Sequence, residues 1–513
     1  MSEQQKTSMS LSRRSFLKIA GLVGVAAQAG GLVAAGIEEG KSSESYTGWE
    51  SFNPGTQFFN RKPFEFDGPA YTPVGEVRRP SYMTDYVFGR VRTFQAAFEK
   101  NPDWTPNDPV EELGVPEQLV EFYKEFPERL EWDYKTFSET IPTNMADRQK
   151  YGAYYKLADA YSAGFEAHGA WLPRPETPPE ESDFVITVRV SADQPPETKP
   201  LGERLPFKSP ELAAEFIKEV AHRYGATLVG ITKTNPDWLY SDGWRGCPPD
   251  YDFSKMPEHW EYAIVLGVPM EWDVVLSNPQ FGTSYDAYDR VSSAAIRLEG
   301  CLKFMGYPAR AHTPMKGYDL IVPPHAVEAG LGQLGRTGFC ITPELGGNCR
   351  MAVVTTNLPM KTDRPIDFGV SEFCKKCKIC AESCPSGAIS MADSPDGMVI
   401  RGYEHWYINN GACYNFWRET MGPMGCRLCV AVCPYSRKDN WIHDMARTLD
   451  PRDPTGVVSS GLLWMQKNLF DAPDAADYHR PPVGEFAAYR EPPFYLRAEK
   501  YLDLEIVKPS KGG

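Results

Sequence analysis

The sequence predicts a mixed fold, α+β or α/β, in which an alternating helix–strand domain is followed by a compact cysteine-dense block. Three observations carry this. Capped amphipathic segments alternate with short β-branched runs between residues 209 and 356. Eight of the 12 cysteines crowd into residues 374–433. At 42% hydrophobic and 12% aromatic residues, the 513-residue chain has ample material for packed cores, which excludes disorder as its main state.

The elements follow in order. Ser209 reads as the N-cap of a helix with Pro210 in its first turn, Leu212, Phe216, Ile217 and Val220 on one face, and Gly225 as its stop. Ala226–Thr232, Tyr262–Val268 and Arg350–Thr356 read as strands. Tyr288–Met305 reads as a second helix, with Val291, Ala295, Leu298 and Leu302 at helical spacing before Gly306. Upstream, helical patches are expected at Val110–Phe126 and Met145–Phe165, ahead of a Pro-rich stretch at Leu172–Pro179. Pro pairs at 481–482 and 492–493 mark a C-terminal tail. The expected division is 1–35, 36–204, 205–360, 361–445 and 446–513.

With 54 Lys and Arg against 68 Asp and Glu, the formal charge is −14, which argues against a nucleic-acid partner. The N-terminus carries Arg13-Arg14 directly before Ile19–Ile37, 19 residues without a formal charge but diluted by five Gly and Gln28. That pattern predicts a twin-arginine export signal rather than a membrane span, with cleavage after Ala29 or near Ala35. Residues 1–35 hold Lys6, Arg13, Arg14 and Lys18 against Glu3, so their removal leaves −14 − 3 = −17. No other stretch is long and apolar enough to span a bilayer.

Cys374, Cys377, Cys380 and Cys384 follow C-x2-C-x2-C-x3-C before Pro385, the run that holds iron–sulfur clusters in bacterial ferredoxins. Cys413, Cys426, Cys429 and Cys433 form a second run before Pro434, with the first cysteine displaced upstream. Two [4Fe–4S] clusters are expected. In such pairs the fourth cysteine of each run serves the other cluster, grouping Cys374, Cys377, Cys380 and Cys433 apart from Cys413, Cys426, Cys429 and Cys384. Structural zinc is the rival, but it favours paired spacings. Cys247, Cys301, Cys340 and Cys349 lack ligand spacing and are expected as core residues, and His312 and His325 as packed histidines.

Gly330-Leu331-Gly332-Gln333-Leu334-Gly335 spells G-x-G-x-x-G. A dinucleotide site needs a strand before it and a helix after it, whereas Pro323–Ala329 reads as a helix. The glycines then mark a sharp turn or a close approach.

Together, the export signal, Ala329–Arg336, the Ile341-Thr342-Pro343 turn and the two cysteine runs resemble the respiratory reductive dehalogenases, over the signal and roughly residues 205 to 440. The resemblance implies a corrinoid (cobamide or cobalamin) held base-off in a nitroreductase-like domain, followed by a ferredoxin-like two-cluster domain. The absence of an Asp-x-His-x-x-Gly motif agrees with a cobalt lacking a protein histidine. The implied reaction is R–X + 2e⁻ + H⁺ → R–H + X⁻. Tyr288 matches the family's proton donor, with Tyr285 as its rival, Arg350 matches the partnering arginine, and Lys316 a third polar position. Gly330, Leu331, Gly332, Gln333, Leu334 and Gly335 are the candidate corrinoid contact. An organohalide substrate, a small integral-membrane anchor protein, an upstream respiratory electron donor and a peripheral place on the outer face of the cytoplasmic membrane are implied as well. Two alternatives stand beside it. Epoxyqueuosine reductases share corrinoid and clusters, but they have an acidic Asp where this chain has Met315-Lys316-Gly317, and they lack an export signal. An exported ferredoxin-type carrier would leave most of the mature chain without a purpose.

Overall fold

The computed structural model describes residues 64–171, 178–188, 197–242, 256–271, 281–400, 402–420, 426–436, 455–469 and 497–507, with residues 275 and 495. The export signal, Cys247, residues 172–177 of the Pro-rich stretch and both tail Pro pairs lie outside these.

A four-stranded sheet organises the centre. Its strands are β1 (Leu228–Lys233), β2 (Tyr262–Pro269), β3 (Ala309–His312) and β4 (Cys349–Thr356), in the order β1-β2-β4-β3. Every pairing is antiparallel, which realises the α+β side of the mixed expectation. Strand alternation sends Ile264, Leu266, Val268 and Val354 into one core and Ala263, Val265 and Val353 into another. Both central strands are therefore covered on both faces, which explains the nearly unbroken apolar sequence of β2 and the Met351–Val354 run of β4.

Helices α1 (Pro210–Arg223) and α2 (Phe281–Phe304) cover the first face. The Ser209 hydroxyl accepts from Leu212 N at 3.3 Å, and Gly225 sits at φ 107°, so both ends of α1 are terminated as expected. On α2, Val291, Ala295, Leu298 and Leu302 have no exposure. Burying a leucine this fully contributes about 1.5–3 kcal/mol. The second face is covered by α3 (Val322–Glu328) and the glycine-rich segment after it, through Ala326, Val327, Ala329 and Leu331.

β3 has no counterpart in the expected strands. Its sequence, Ala-Arg-Ala-His, reads as polar because the side chains opposite its alanines are charged. Arg310 and His312 are fully buried all the same, with Arg310 Nε 2.7 Å from Asp319 and Arg310 Nη1 3.3 Å from Asp183. A buried charge needs such partners, and only the fold shows them.

The N-terminal region is helical. Val110–Phe126 resolves into a 3₁₀ turn at Val110–Leu113 and a helix at Glu117–Glu125. Met145–Phe165 resolves into helices Ile141–Lys150 and Gly152–Trp171. The latter packs on α2. Val87 and Val91 meet Tyr414, so this region also touches the cysteine block. That block comprises α4 (Val370–Cys377), α5 (Ile379–Glu382), α6 (Asn410–Thr420) and α7 (Leu428–Ala431). α4 and α5 are separated by Lys378 at φ 52°, the one described non-glycine residue with positive φ. This kink falls inside the first cysteine run, where the chain must turn within a few residues. No helix among the described residues is long and apolar enough to cross a membrane.

Candidate active site and cluster block

α2 begins at Phe281, seven residues before the expected start at Tyr288, because its first turns lack an apolar stripe. The extension matters chemically. It places Ser284 one turn before Tyr288, on the same helix face. Arg350, the second residue of β4, brings its guanidinium carbon 5.4 Å from the Tyr288 ring centroid and donates from Nη2 to Ser284 Oγ at 3.3 Å. Its Nη1 donates to Cys349 O at 3.3 Å, while its Nε is buried without a hydrogen-bond partner.

A second guanidinium arrives from the cysteine block. Arg427, between Cys426 and Cys429, donates to Ser284 Oγ from Nε at 3.1 Å and also from Nη2, and from Nη1 to Cys426 O at 2.6 Å. Burial alone would raise the Tyr288 pKa, but the charges of Arg350 and Arg427, with polar contacts from Arg350 and Ser284, hold it below the ordinary phenol value. The neighbouring tyrosines go the other way. Burial pushes Tyr86, Tyr240 and Tyr318 up. Tyr288 is thus the acidified phenol in an aromatic surround, with two cations placed to stabilise its anion. Tyr285 lies alongside, its ring 6.3 Å from that of Tyr288 at 82°.

Among the described residues, Lys316 makes its ion pair with Glu299 rather than with a member of this group. Its Nζ donates to Glu299 Oε2 at 2.8 Å, and Lys303 donates to Glu299 Oε1 at 2.8 Å. Glu299 is eleven residues beyond Tyr288 on α2, roughly 16 Å along the axis at the helical rise. Its carboxyl is held down at about 2 because the two lysines outweigh burial. Lys316 is spent on a buried ion triad that sequence separation conceals. The two residues that sequence reading missed are Ser284 and Arg427; an arginine inside a C-x2-C interval was the available signal for the second.

The segment Gly330–Gly335 follows α3 and holds only a two-residue strand, Gln333–Leu334, paired with Cys340–Ile341, so the strand–turn–helix context of a dinucleotide site is absent here. Side chains at Gly330 and Gly332 would strike Arg364 O at 2.4 Å and Ile341 O at 2.1 Å. This chain's own backbone thus accounts for those glycines. Leu331 and Leu334 are buried in the second core. Gln333 Oε1 accepts from Phe368 N and Val370 N, and Arg336 donates to Cys374 O, Ser390 O and Ala392 O, each at 2.7 Å by its nearest nitrogen. The segment ties the sheet domain to the cysteine block.

Within that block the thiols fall into two electrostatic groups. Cys374, Cys377 and Cys380 each feel Cys433, while Cys413, Cys426 and Cys429 each feel Cys384. Cys380 also feels Cys429, so the two groups adjoin. Burial pushes the Cys374 and Cys413 thiols up to about 12, with mutual repulsion adding to it. Among the described residues no group of three or more ligands is drawn tightly enough for a single metal ion. All eight are free of disulfides. Of the remaining cysteines, Cys340 is buried at 5% exposure and Cys301 and Cys349 are partly buried. Every histidine whose side chain is described is engaged: His312 with Thr355, His325 with Ile321 O, His405 with Gly335 O, His222 with Ala226 O and His259 with Asp183.

Fold and site together define an iron–sulfur redox protein, in which a two-cluster block is built onto a mixed α/β domain. Residues 373–436 match the 4Fe-4S dicluster domain. The chain is also similar to reductive dehalogenases. It is 34% identical over 262 residues to a tetrachloroethene reductive dehalogenase of Sulfurospirillum multivorans, covering 45% of this chain and 51% of that protein. It is 37% identical over 171 residues to a trichloroethene reductive dehalogenase of Dehalococcoides mccartyi, covering 32% and 28% respectively. The chain spans about half the length of the first of these. A solved catabolic reductive dehalogenase shares the fold, with TM-score 0.52 at 21% identity over 79% of this chain and 49% of that one. An epoxyqueuosine reductase of Lactococcus garvieae matches more weakly, at 29% identity over 128 residues covering 22% of this chain and 32% of that protein.

Proposed function

We propose that the protein removes halide reductively from an organohalide, R–X + 2e⁻ + H⁺ → R–H + X⁻, as part of organohalide respiration. The observation that carries this is Tyr288 under the Arg350 guanidinium of the sheet domain, with Arg350 and Arg427 of the cluster loop meeting at Ser284 one turn away and holding the phenol pKa down. One site joins a proton source to an electron source. In this reading Cys374, Cys377, Cys380 and Cys433 hold one [4Fe–4S] cluster, and Cys413, Cys426, Cys429 and Cys384 the other. A corrinoid, when bound, supplies the cobalt chemistry that breaks carbon–halogen bonds.

The residues present suit such a cofactor. The unpartnered Arg350 Nε is a buried donor in want of an acceptor. Tyr288 holds the proton, Arg350 and Arg427 stabilise the phenolate left when it is given up, and the aromatic surround keeps water out. In this reading the sheet domain is nitroreductase-like, and Gly330–Gly335 forms the wall between it and the clusters. Export through a twin-arginine signal, a peripheral place on the outer face of the membrane, a small integral-membrane anchor and an upstream respiratory donor complete the proposal.

The test is halide release with a reduced viologen across chlorinated and brominated alkenes, alkanes and aromatics, on protein with measured cobalt and iron. Release from at least one class is expected. No release with both cofactors loaded would refute the dehalogenase reading, and an anaerobic preparation free of corrinoid would favour an electron carrier.

A further inference from the structure

Arg350 and Arg427 converge on a single neutral oxygen, Ser284 Oγ. Ser284 has no exposure and Arg427 is 7% exposed. Among the described residues, neither guanidinium pairs with a carboxylate. Two buried like charges sharing one hydroxyl repel each other and need a counter-charge. Two groups are placed to supply it. Tyr288 lies beneath Arg350. Cys426 and Cys429 flank Arg427 in sequence, and Arg427 Nη1 donates to Cys426 O at 2.6 Å, so a cluster held there would lie beside this guanidinium.

We propose that Arg427 is a positioning residue that links the Cys426–Cys429 cluster loop to Tyr288, one cation serving the negative charge of the cluster on one side and the phenol, through Ser284 and Arg350, on the other. The inference rests on the cluster part of the proposed function alone. Among the described residues, the charged and titratable groups facing Tyr288 are Arg350 from β4, Arg427 from the cluster loop, Tyr285 from its own helix, Tyr86 from the N-terminal region and Tyr318 from the segment before α3. Of these, Arg427 is the one that lies within a cysteine run, so a change of charge there is felt by both sites. Removing a nearby cation makes a cluster harder to reduce and a phenol harder to ionise.

The experiment is an EPR-monitored redox titration of the full-length, cluster-loaded protein, paired with a tyrosinate absorbance titration that uses Tyr288→Phe as the blank. In Arg427→Gln, one of the two cluster potentials is expected to become more negative while the other holds. The Tyr288 midpoint is expected to move to higher pH. Arg427→Lys is expected to stay near the wild-type potentials. Unchanged potentials and phenol midpoint in Arg427→Gln, or equal shifts of both clusters, would overturn the proposal. Where Arg427→Gln loses its clusters, Ser284→Ala decides, because it keeps both charges and removes the bridging oxygen. Its phenol midpoint should rise with both potentials at wild type, and an unshifted phenol overturns the link. Neither readout uses an organohalide, so failure here is distinguishable from failure of the dehalogenase reading.

Discussion

The two ends of α2 handle buried charge in opposite ways. Near its C-terminal end, Glu299 takes one lysine on each carboxylate oxygen, so its hydrogen-bonding capacity is used within the triad. Near its N-terminal end, two guanidiniums share a hydroxyl, and one Arg350 nitrogen has no partner at all. A satisfied charge cluster fixes structure, whereas an unsatisfied one is a place where something else is meant to bind or react. Lys316, a cation at a matching sequence position, sits in the satisfied cluster, whereas Arg427, which spacing alone did not single out, sits in the unsatisfied one.

The comparison breaks most directly at the clusters. Cys429→Ser should lose one cluster, lowering iron content by about half, and with it all halide release, as measured by iron assay and viologen turnover. Next, Tyr288→Phe should cut turnover by about 10²–10⁴-fold with cobalt and iron unchanged. Turnover near wild type would move the donor to Tyr285. Because Arg350 lowers the Tyr288 pKa, Arg350→Met should shift the basic limb of the pH–rate profile to higher pH, read from kcat/KM across pH.

At the other end of the helix the readout is stability. Glu299 is depressed from 4.5 to about 2 on folding, so its contribution of about 3 kcal/mol is fully present above pH 4.5 and lost as pH falls toward 2. Glu299→Gln should remove that acid dependence in denaturant titrations and leave the folded fraction's turnover near wild type. Lys316→Met leaves Lys303 in place, so a smaller loss of about 1–3 kcal/mol is expected. A large fall in turnover there would return Lys316 to the site.

Much of this was legible locally. The α1 cap, the Gly225 stop and the cysteine runs are short-range devices, and their residues announce them wherever the chain goes. β3 was not legible, because Arg310 and His312 find their carboxylates at Asp183 and Asp319, which adjacency along the chain does not reveal. Ser284 was hidden by a helix start without an apolar stripe. The pairing of Lys316 with Glu299 was not legible either, because the partner sits on a different element.

Arg336 carries a consequence for modularity. Its buried guanidinium belongs to the sheet domain, yet it takes up the backbone carbonyls of Cys374, Ser390 and Ala392. A fragment cut to residues 361–445 would carry every cluster cysteine and still leave those three oxygens without their donor. The dicluster segment is therefore not a detachable cartridge. Grafted onto another scaffold, it would need an equivalent cation delivered from outside its own sequence.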